Sequence, residues 1–242
     1  METETQGKLA GRTVLVTGGS SGLGAAVVQG VLSAGGNAVV LDVSAASGSN
    51  GNGSRRAGFA LDVSDPRAVP DVVASAADAF GGLDAVVTAA GIDRCGRLED
   101  VAPGDWDKVI GVNLLGTASV VRAAMPWLKR SANGRVVTVA STLGLRALPE
   151  ATAYCASKFG VIGFSRALAA ETRGQIGVTT LIPGGMNTAF FDDREEKYKP
   201  SDPSSLNDPA QVADAVLFAL GQPKGCEIRE LLICPSGEDS WP

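Results

Sequence analysis

Short runs of apolar and β-branched residues alternate with longer, helix-like segments along the whole chain. The runs are predicted to be strands at Thr13–Thr17, Ala38–Asp42, Phe59–Leu61, Asp84–Thr88, Arg135–Val139, Val178–Ile182 and Glu230–Cys234. The second run is continuously apolar, as expected for a parallel strand that is buried on both faces. Strands that alternate with helices imply right-handed βαβ units. The pattern predicts a doubly wound α/β fold with a seven-stranded parallel sheet flanked by helices on both faces.

Helices are predicted between these strands at about Leu23–Ala34, Pro66–Phe80, Asp107–Leu128, Ala151–Arg173 and Pro209–Leu220. No linker interrupts the alternation, so residues 1–242 are predicted to form a single domain. Two stretches are irregular. Ser44–Gly58 is rich in Gly, Ser and Asn and is predicted to be a mobile surface loop. Residues 189–207 mix charged, aromatic and proline residues and are predicted to be a lid over a substrate site.

Composition excludes several kinds of function. The chain has no histidine, which excludes Ser-His-Asp and Cys-His catalysis and histidine-ligated zinc. Its four cysteines form no CxxC pair, so they are predicted to be small buried hydrophobic residues, and no metal site is predicted. The 21 basic and 26 acidic side chains, net −5, argue against nucleic-acid binding. The polar amino terminus and the lack of a long apolar stretch predict a cytoplasmic protein without a membrane segment.

A glycine-rich segment, TGGSSGLG at 17–24, lies between the first predicted strand and the first predicted helix. Glycines at this position let the backbone approach a phosphate, and the helix N-terminus offers free N–H groups and a positive dipole. The spacing is TGxxxGxG rather than GxGxxG. A tight turn without a ligand is the alternative interpretation.

Asp42 ends the second predicted strand, 24 positions after Gly18. In a dinucleotide-binding fold, a carboxylate at this point accepts hydrogen bonds from the adenosine ribose hydroxyls. A 2′-phosphate there would be repelled, so Asp42 predicts NAD(H) in preference to NADP(H). Arg55 and Arg56 leave an alternative open, because they could fold back toward such a phosphate.

Tyr154 and Lys158 are four positions apart in a predicted helix, which places both side chains on one helical face. A cation beside a phenol stabilises the phenolate and lowers the pKa of the tyrosine, which would make it a usable acid or base. A surface pair without function is the alternative for this spacing alone.

Together these segments resemble the single-domain short-chain dehydrogenases/reductases along nearly the whole chain. The matching motifs occur in the family's order and are TGGSSGLG (17–24), Asp62-Val63, TAAG (88–91), Asn113 in VNLLG, Ser141 in VASTLG, YCASK (154–158) and PGGMNT (183–188). The resemblance implies a Rossmann fold and an oxidoreductase that acts on a CH–OH group with a nicotinamide cofactor. One departure is Thr88, where the family usually has asparagine; it is expected to hydrogen-bond a neighbouring strand instead.

The resemblance also implies a role for each matching residue. Tyr154 would be the proton donor and acceptor, and Ser141 would hydrogen-bond the reacting oxygen. Lys158 would lower the pKa of Tyr154 and hold the nicotinamide ribose, and Asn113 would anchor a proton-relay water. The cofactor-binding set comprises Tyr154 and Lys158 again, with Gly18, Ser20, Ser21, Gly22, Leu23, Gly24, Asp42, Asp62, Val63, Ala89, Ala90, Gly91, Pro183, Gly184, Met186 and Thr188.

The substrate is expected to be a small secondary alcohol or its ketone. The resemblance places its pocket at Ile92–Gly96, Leu143–Glu150, Gly185 and the lid, with apolar walls at Leu143, Leu145, Leu148 and Met186. Arg94 or Arg146 would anchor an anionic group unless both are solvated surface residues. Glu150 would meet a cationic or hydroxyl-rich substrate unless its position at a helix N-terminus explains its presence.

Three other functions are compatible with parts of the pattern. A non-catalytic NAD-binding regulator would be expected to lose Ser141, Tyr154 or Lys158, and all three are present. A sugar-nucleotide epimerase would need a longer C-terminal part than the 59 residues after Pro183. An NADPH-dependent ketoreductase remains an alternative. The resemblance finally implies a homotetramer or homodimer that pairs the helices predicted at Asp107–Leu128 and Ala151–Arg173.

Overall fold

A twisted sheet forms the centre of the computed structural model, which describes residues 7–45, 48–49 and 53–238. Its seven parallel strands are β1 Thr13–Thr17, β2 Asn37–Asp42, β4 Arg56–Ala60, β5 Ala85–Thr88, β6 Arg135–Val139, β7 Gly177–Pro183 and β8 Glu230–Ile233. A two-residue strand, β3 Gly48–Ser49, pairs antiparallel with β4 at one edge. The order is β3-β4-β2-β1-β5-β6-β7-β8. The predicted doubly wound fold with seven parallel strands is confirmed, and the chain reverses direction across the sheet between β1 and β5.

The segment predicted as a mobile loop contains two strands of the sheet. Besides β3, strand β4 begins at Arg56, three residues before the predicted start at Phe59. Parallel pairing with β2 explains the difference, because Arg56 lies opposite Ala38 and the amide of Ala38 donates to the carbonyl of Arg55 at 2.8 Å. Backbone pairing with a neighbouring strand thus extends β4 through residues of low strand propensity. Residues 46–47 and 50–52 of the predicted loop lie outside the described residues.

Six α-helices connect the strands within the described residues. They are α1 Gly22–Ser33, α2 Ala68–Asp78, α3 Pro103–Ile110, α4 Thr117–Arg130, α5 Thr152–Glu171 and α6 Pro209–Leu220. The helix predicted at Asp107–Leu128 is longer than expected and is interrupted, because a π-helical segment, Gly111–Gly116, joins α3 to α4. An inserted turn of this kind is frequent at functional sites, and Asn113 lies within it.

Each face of the sheet carries its own core, as the continuously apolar strands predict. On one face Leu15, Val39 and Leu41 pack with α2, α4 and α5. On the other face Val14 and Val40 pack with α1 and α6. Side chains that alternate along each strand therefore enter two different cores, and the carboxyl ends of the strands are held at one rim.

The helical run Pro103–Arg130 has the length and apolar composition of a membrane span, a feature that the sequence analysis did not anticipate. Its apolar side chains Val120, Val121, Ala124 and Leu128 are buried in the core of the domain. A core helix passes the same test of length and composition. The packing explains the apolar composition of this run.

Two smaller predictions need correction or refinement. Of the four cysteines, Cys155 is buried, Cys95 and Cys234 are half-buried and Cys226 is exposed, so the expectation of buried cysteines is right only in part. The segment 189–207, predicted to be a lid, contains three short 3₁₀ turns. The two ends of this segment are held together, because Asn207 donates its amide hydrogen to the carbonyl of Gly185 at 3.1 Å.

Candidate active site

A cleft of about 590 Å³ opens at the carboxyl ends of the strands, where the chain reverses direction across the sheet. Of the residues predicted for the site, all but two line it, namely Gly18, Ser21, Gly22, Leu23, Gly24, Asp42, Asp62, Val63, Ala89, Ala90, Gly91, Ser141, Tyr154, Lys158, Pro183, Gly184, Met186 and Thr188. Ser20 and Asn113 do not line it. Ser20 is exposed beside the cleft and Asn113 is buried behind it.

The glycine-rich turn at 17–24 leaves no space for side chains at two of its positions. Gly18 has a φ of +65°, and a Cβ there would lie 2.9 Å from the backbone of Ala90. A Cβ on Gly24 would collide with the carbonyl of Gly18. Helix α1 then begins at Gly22, and in the described residues neither a side-chain cap nor an acidic residue occupies its first turn. The turn therefore fits the phosphates of a dinucleotide, which the free N–H groups of α1 would bind.

Asp42 occupies the end of β2 as predicted. Its carboxylate accepts hydrogen bonds from the amide of Ser20 at 3.1 Å and from the amide and hydroxyl of Ser44 at 3.0 and 2.8 Å. Burial raises the pKa of Asp42, but the hydrogen bonds from Ser44 and Ser20 outweigh burial, so its net pKa lies below the usual value. A fixed negative charge therefore stands at the rim of the cleft.

Arg55 and Arg56 lie at the opposite end of the sheet from Asp42. A guanidinium nitrogen of Arg55 donates to the carbonyl of Gly36 at 2.9 Å. Arg56 lies opposite Ala38, four residues before Asp42 along β2. At a rise of about 3.3 Å per residue, that separation is roughly 13 Å. Neither arginine is therefore positioned beside Asp42.

Asp62 and Val63 follow β4 and form another part of the cleft wall. The carboxylate of Asp62 accepts hydrogen bonds from the hydroxyl and amide of Ser64 at 2.6 and 2.9 Å, which lower its pKa. Val63 packs so closely on Gly116 that a Cβ at Gly116 would lie 2.7 Å from it. Lys108 also lines this part of the cleft, and its charge further lowers the pKa of Asp62. Lys108 was missed by sequence reasoning, because it lies on α3 outside every motif.

The predicted catalytic side chains converge from two adjacent elements. Ser141 follows β6, while Tyr154 and Lys158 project from the first turns of α5. Ser141 and the phenol of Tyr154 are joined by a hydrogen bond. The ammonium group of Lys158 lies 5.5 Å from the centre of the tyrosine ring. The structure thus brings together a hydroxyl, a phenol and a cation at one wall of the cleft.

Burial shifts the pKa values of both Tyr154 and Lys158 toward their neutral forms. It raises the pKa of Tyr154 to about 12, and the hydrogen bond with Ser141 lowers it only in part. Burial also lowers the pKa of Lys158 to about 8. The net pKa of Tyr154 in the protein chain alone therefore lies above its usual value, because loss of hydration disfavours the phenolate. The lowering of this pKa by Lys158 stays a prediction.

Asn113 links three segments of the chain through hydrogen bonds. Its side-chain oxygen accepts from the amide of Ile92 at 2.9 Å, and its side-chain nitrogen donates to the carbonyl of Ile92 at 2.9 Å and to Ser157 at 3.0 Å. Its main-chain carbonyl accepts from the hydroxyl of Thr117 at 2.8 Å. Asn113 therefore fixes the loop after Gly91 against α5. The relay water that the resemblance implies stays a prediction.

Thr88 does not make the interstrand hydrogen bond that was expected of it. Its hydroxyl is buried, and it has no hydrogen-bond partner among the residues that the structure describes. A different contact connects strand β1 to the loop after β5, because the hydroxyl of Thr17 accepts a hydrogen bond from the amide of Ala90 at 3.1 Å. A threonine is shorter than the asparagine that the family usually has here, which accounts for the missing contact.

Apolar side chains surround the cleft beyond Tyr154. Leu143, Leu148 and Met186 line it as predicted, together with Phe190 and Phe191 from the segment 189–207. The ring of Phe190 is 5.8 Å from that of Tyr154, centre to centre. The part of the cleft that these residues line, where the sequence predicts the substrate, is called the substrate end below.

Four residues of the predicted substrate pocket lie elsewhere. Leu145 packs against the small core around Ile162 rather than lining the cleft. Arg94 is half-exposed and approaches Asp105 at 4.0 Å, and Arg146 is exposed. Glu150 lies outside the cleft and has a φ of +60°, which is strained for a residue with a Cβ.

Three charged residues near the substrate end were not singled out from the sequence. Arg194 lines the cleft, and its guanidinium is 2.7 Å from the carboxylate of Asp93. Glu238 lines the cleft too, and it accepts a hydrogen bond from the amide of Gly185 at 2.8 Å. Asp93 and Arg194 are 101 positions apart, so no local pattern in the sequence links them.

Comparison with known proteins gives consistent results. The model of the short chain dehydrogenase family matches residues 12–199. The D-threitol dehydrogenase of Mycolicibacterium smegmatis is 36% identical over 183 residues, which are 73% of this chain and 70% of that protein. The D-beta-hydroxybutyrate dehydrogenase of Cupriavidus necator is 35% identical over 78% of this chain and 76% of its own length. The crystal structure of a glucose/ribitol dehydrogenase from Brucella melitensis has the same fold, with a TM-score of 0.84 at 24% identity over 96% of this chain and 98% of that one.

Proposed function

The chain belongs to the short-chain dehydrogenase family, and on that premise we propose that it interconverts a secondary alcohol and a ketone with NAD(H). That it is an oxidoreductase of this family acting on CH–OH groups follows from the family match and the related dehydrogenases. The observation that carries the finer proposal is the hydrogen-bonded pair of Ser141 and Tyr154 beside the buried cation of Lys158, all facing the cleft.

The residues around the cleft fit a nicotinamide dinucleotide. The turn at 17–24 and the N-terminus of α1 suit the phosphates, Asp42 suits the adenosine ribose, and Asp62 with Val63 suits the adenine. Lys158 and Thr188 would hold the nicotinamide half. When bound, the nicotinamide ring supplies the site that takes up or releases the hydride.

The proton in this proposal moves at the phenol oxygen of Tyr154. With a pKa near 12 the phenol is protonated at neutral pH, so it can donate its proton to the oxygen of a ketone as that oxygen becomes an alcohol. In the reverse direction the phenolate accepts the proton of the alcohol. Ser141 donates a hydrogen bond to the same oxygen and stabilises the charge that develops on it.

Lys158 and Asn113 support this proton transfer from behind. The ammonium group of Lys158 is within 5.5 Å of the ring of Tyr154 and stabilises the phenolate when it forms. Asn113 holds the loop at Ile92 in place through two hydrogen bonds of 2.9 Å. We propose that it also anchors the water through which the proton reaches solvent.

Preference for NAD(H) over NADP(H) is supported by the charges near the adenosine ribose. Asp42 keeps its negative charge near neutral pH, because hydrogen bonds from Ser44 and Ser20 lower its pKa. At about 4 Å and an effective dielectric constant near 20, each pair of unit charges would repel by about 4 kcal/mol. Arg55 and Arg56, the two cations that were considered as compensation, lie at the opposite end of β2.

A fluorescence titration with NADH and NADPH tests the cofactor without any guess about the substrate. We expect NADH to bind much more tightly, and we expect Asp42→Ala to narrow the difference. Asp71→Ala is a suitable control, because this exposed carboxylate lies on α2 outside the cleft. Tighter binding of NADPH by the unchanged protein would contradict the proposed preference.

The catalytic assignment is tested by comparing the chain's two tyrosines. Tyr154→Phe removes only the phenol oxygen and is expected to abolish turnover while NADH binding stays almost unchanged. Tyr198→Phe, the same change on the segment 189–207, is expected to retain turnover. Activity of Tyr154→Phe at the level of the unchanged protein would refute the mechanism. Binding of NADH by the unchanged protein without any turnover would instead favour the non-catalytic NAD-binding alternative.

A further inference from the structure

A cation and a carboxylate form an ion pair at the substrate end of the cleft. Arg194 is the cation that lines this end, and its guanidinium is 2.7 Å from Asp93, whose side chain is only 5% exposed. A second donor of Arg194 reaches the carbonyl of Tyr198 at 3.3 Å. Its planar group also stacks near Phe190 and Phe191, 5.1 and 4.6 Å from their ring centres. The guanidinium group of Arg194 is therefore hydrogen-bonded along its edge and covered by aromatic rings on its face.

Asp93 stands behind Arg194 in an adjoining cavity of about 340 Å³ that shares Phe190 and Arg194 with the main cleft. An anionic group that entered the substrate end would have to displace this carboxylate from Arg194 or meet its negative charge. The carboxylate of Asp93 therefore disfavours an anionic substrate.

Several apolar side chains also line the substrate end. They are Leu143, Leu148, Met186, Phe190 and Phe191. A polyol bound here would place hydroxyl groups against these apolar side chains. Those hydroxyl groups would lose their hydrogen bonds to water and gain none from these side chains.

From this arrangement we infer that the substrate is an uncharged, mainly apolar ketone or secondary alcohol, and that Asp93 excludes carboxylates by neutralising Arg194. The inference rests on the proposed function, since it concerns the substrate of that reaction. It assigns Asp93 a role in specificity, not in proton transfer. Hydroxy acids and polyols are thereby placed outside the preferred substrates.

Matched pairs of ketones that differ only in charge or polarity test this inference with NADH. Acetoacetate is compared with methyl acetoacetate, and 4-oxocyclohexanecarboxylate with its methyl ester. The pair of 1,3-dihydroxyacetone and pentan-3-one replaces two hydroxyls by methyl groups of similar size. We expect kcat/KM to be at least tenfold higher for the ester and for pentan-3-one. Equal values, or preference for the acid or for dihydroxyacetone, would overturn the inference.

Variants at the ion pair test the role of Asp93. Asp93→Asn keeps the shape of the side chain and leaves the charge of Arg194 unmatched, so the preference for ester over acid is expected to fall at least tenfold. In the double variant Asp93→Asn/Arg194→Gln the wall is neutral again, and the preference should return. A purely structural role would lower kcat/KM for both members of a pair and leave their ratio unchanged. Asp214→Asn, on the exposed side of α6, is the control and should keep the original ratio.

Two outcomes separate this inference from the proposed function. If NADH binds but no ketone is reduced, the proposed reaction fails. The inference is then decided by the affinities of the ester and the acid for the NADH complex, measured by quenching of its fluorescence. Tighter binding of the ester supports it, and equal or tighter binding of the acid overturns it. If Asp93→Asn does not fold, the ratios of the unchanged protein decide.

Discussion

The ammonium group of Lys158 donates a hydrogen bond to the main-chain carbonyl of Val139 across 2.9 Å. Val139 is the last residue of β6, and Ser141 follows it two positions later. Because Tyr154 lies one turn before Lys158 on α5, this bond sets the phenol of Tyr154 against the hydroxyl of Ser141. The lysine thus positions Tyr154 and Ser141 as well as carrying a charge.

The buried ammonium group of Lys158 makes stability depend on pH. Burial lowers its pKa from 10.5 to about 8, so between these pH values the unfolded chain binds the extra proton. The contribution of Lys158 to stability is therefore expected to rise as the pH increases from 8 to 10, while Cys95, whose pKa burial raises from 9.0 to about 12, acts in the opposite direction above pH 9 in both proteins compared below. Denaturant unfolding at several pH values measures this, with Lys158→Met as the comparison. The rise should be smaller in Lys158→Met, and an identical rise in both proteins would contradict the assignment.

The pH dependence of turnover should report the protonation of Tyr154. Because burial raises its pKa to about 12, the phenol is the dominant form up to that pH in the protein alone. Alcohol oxidation requires the phenolate, so its kcat/KM is expected to rise roughly tenfold per pH unit until the pKa in the complex is reached. Ketone reduction should change little between pH 6 and 8. Oxidation that is independent of pH from 6 to 9 would show that another group accepts the proton.

Replacement of Thr88 by valine tests the cost of its buried hydroxyl. Thr88→Val keeps the shape and removes a polar atom without a partner in the described chain, so it is expected to raise stability by about 0.5–1 kcal/mol. Thr138→Val is the matched control on the next strand, where the hydroxyl is 2.6 Å from that of Ser165. This control should lose about 1 kcal/mol. Similar losses from both changes, measured by denaturant unfolding, would be inconsistent with the contacts seen here.

Glu150 adopts a backbone conformation that suits glycine. Its φ of +60° precedes the catalytic helix α5 directly, and its carbonyl accepts a hydrogen bond from the amide of Gly96 at 2.8 Å. Glu150→Gly is expected to raise stability by about 0.5–1 kcal/mol because it relieves this strain. Glu150→Ala keeps the strain and serves as the control. If both variants shift the unfolding midpoint equally, the effect comes from the lost side chain and not from the backbone.

Self-association should depend on two apolar side chains that the single chain leaves exposed. Leu115, in the π-helical segment, is 58% exposed and Phe159, on α5, is 46% exposed. They lie on the helices that the sequence analysis predicts to pair in a homodimer or homotetramer. Phe159→Asp is expected to shift the protein toward monomers in size-exclusion chromatography with light scattering. An unchanged protein that is already monomeric would refute the predicted assembly.

Periodicity was sufficient to predict the sheet and the order of the elements along the chain, and the resemblance to the family predicted most of the cleft. The burial of runs such as Val14–Val16 and Ala38–Leu41 can be predicted from their composition alone, because a strand covered on both faces is apolar along its buried length. The glycines at 18 and 24 carry a steric requirement of the backbone itself. Such properties depend on neighbours in the sequence, so they can be predicted before the fold is known.

Properties that depend on distant partners were decided only by the tertiary structure. The pairing of Asp93 with Arg194, 101 positions away, and the reach of Glu238 to Gly185 arise because loops from different strands meet at one rim. Lys158 and Tyr154 are recognisable from their spacing, yet it is their burial in the folded chain that raises the pKa of the tyrosine. Hydration and charge are set by everything packed around a group, and local sequence carries too little of that environment to predict them.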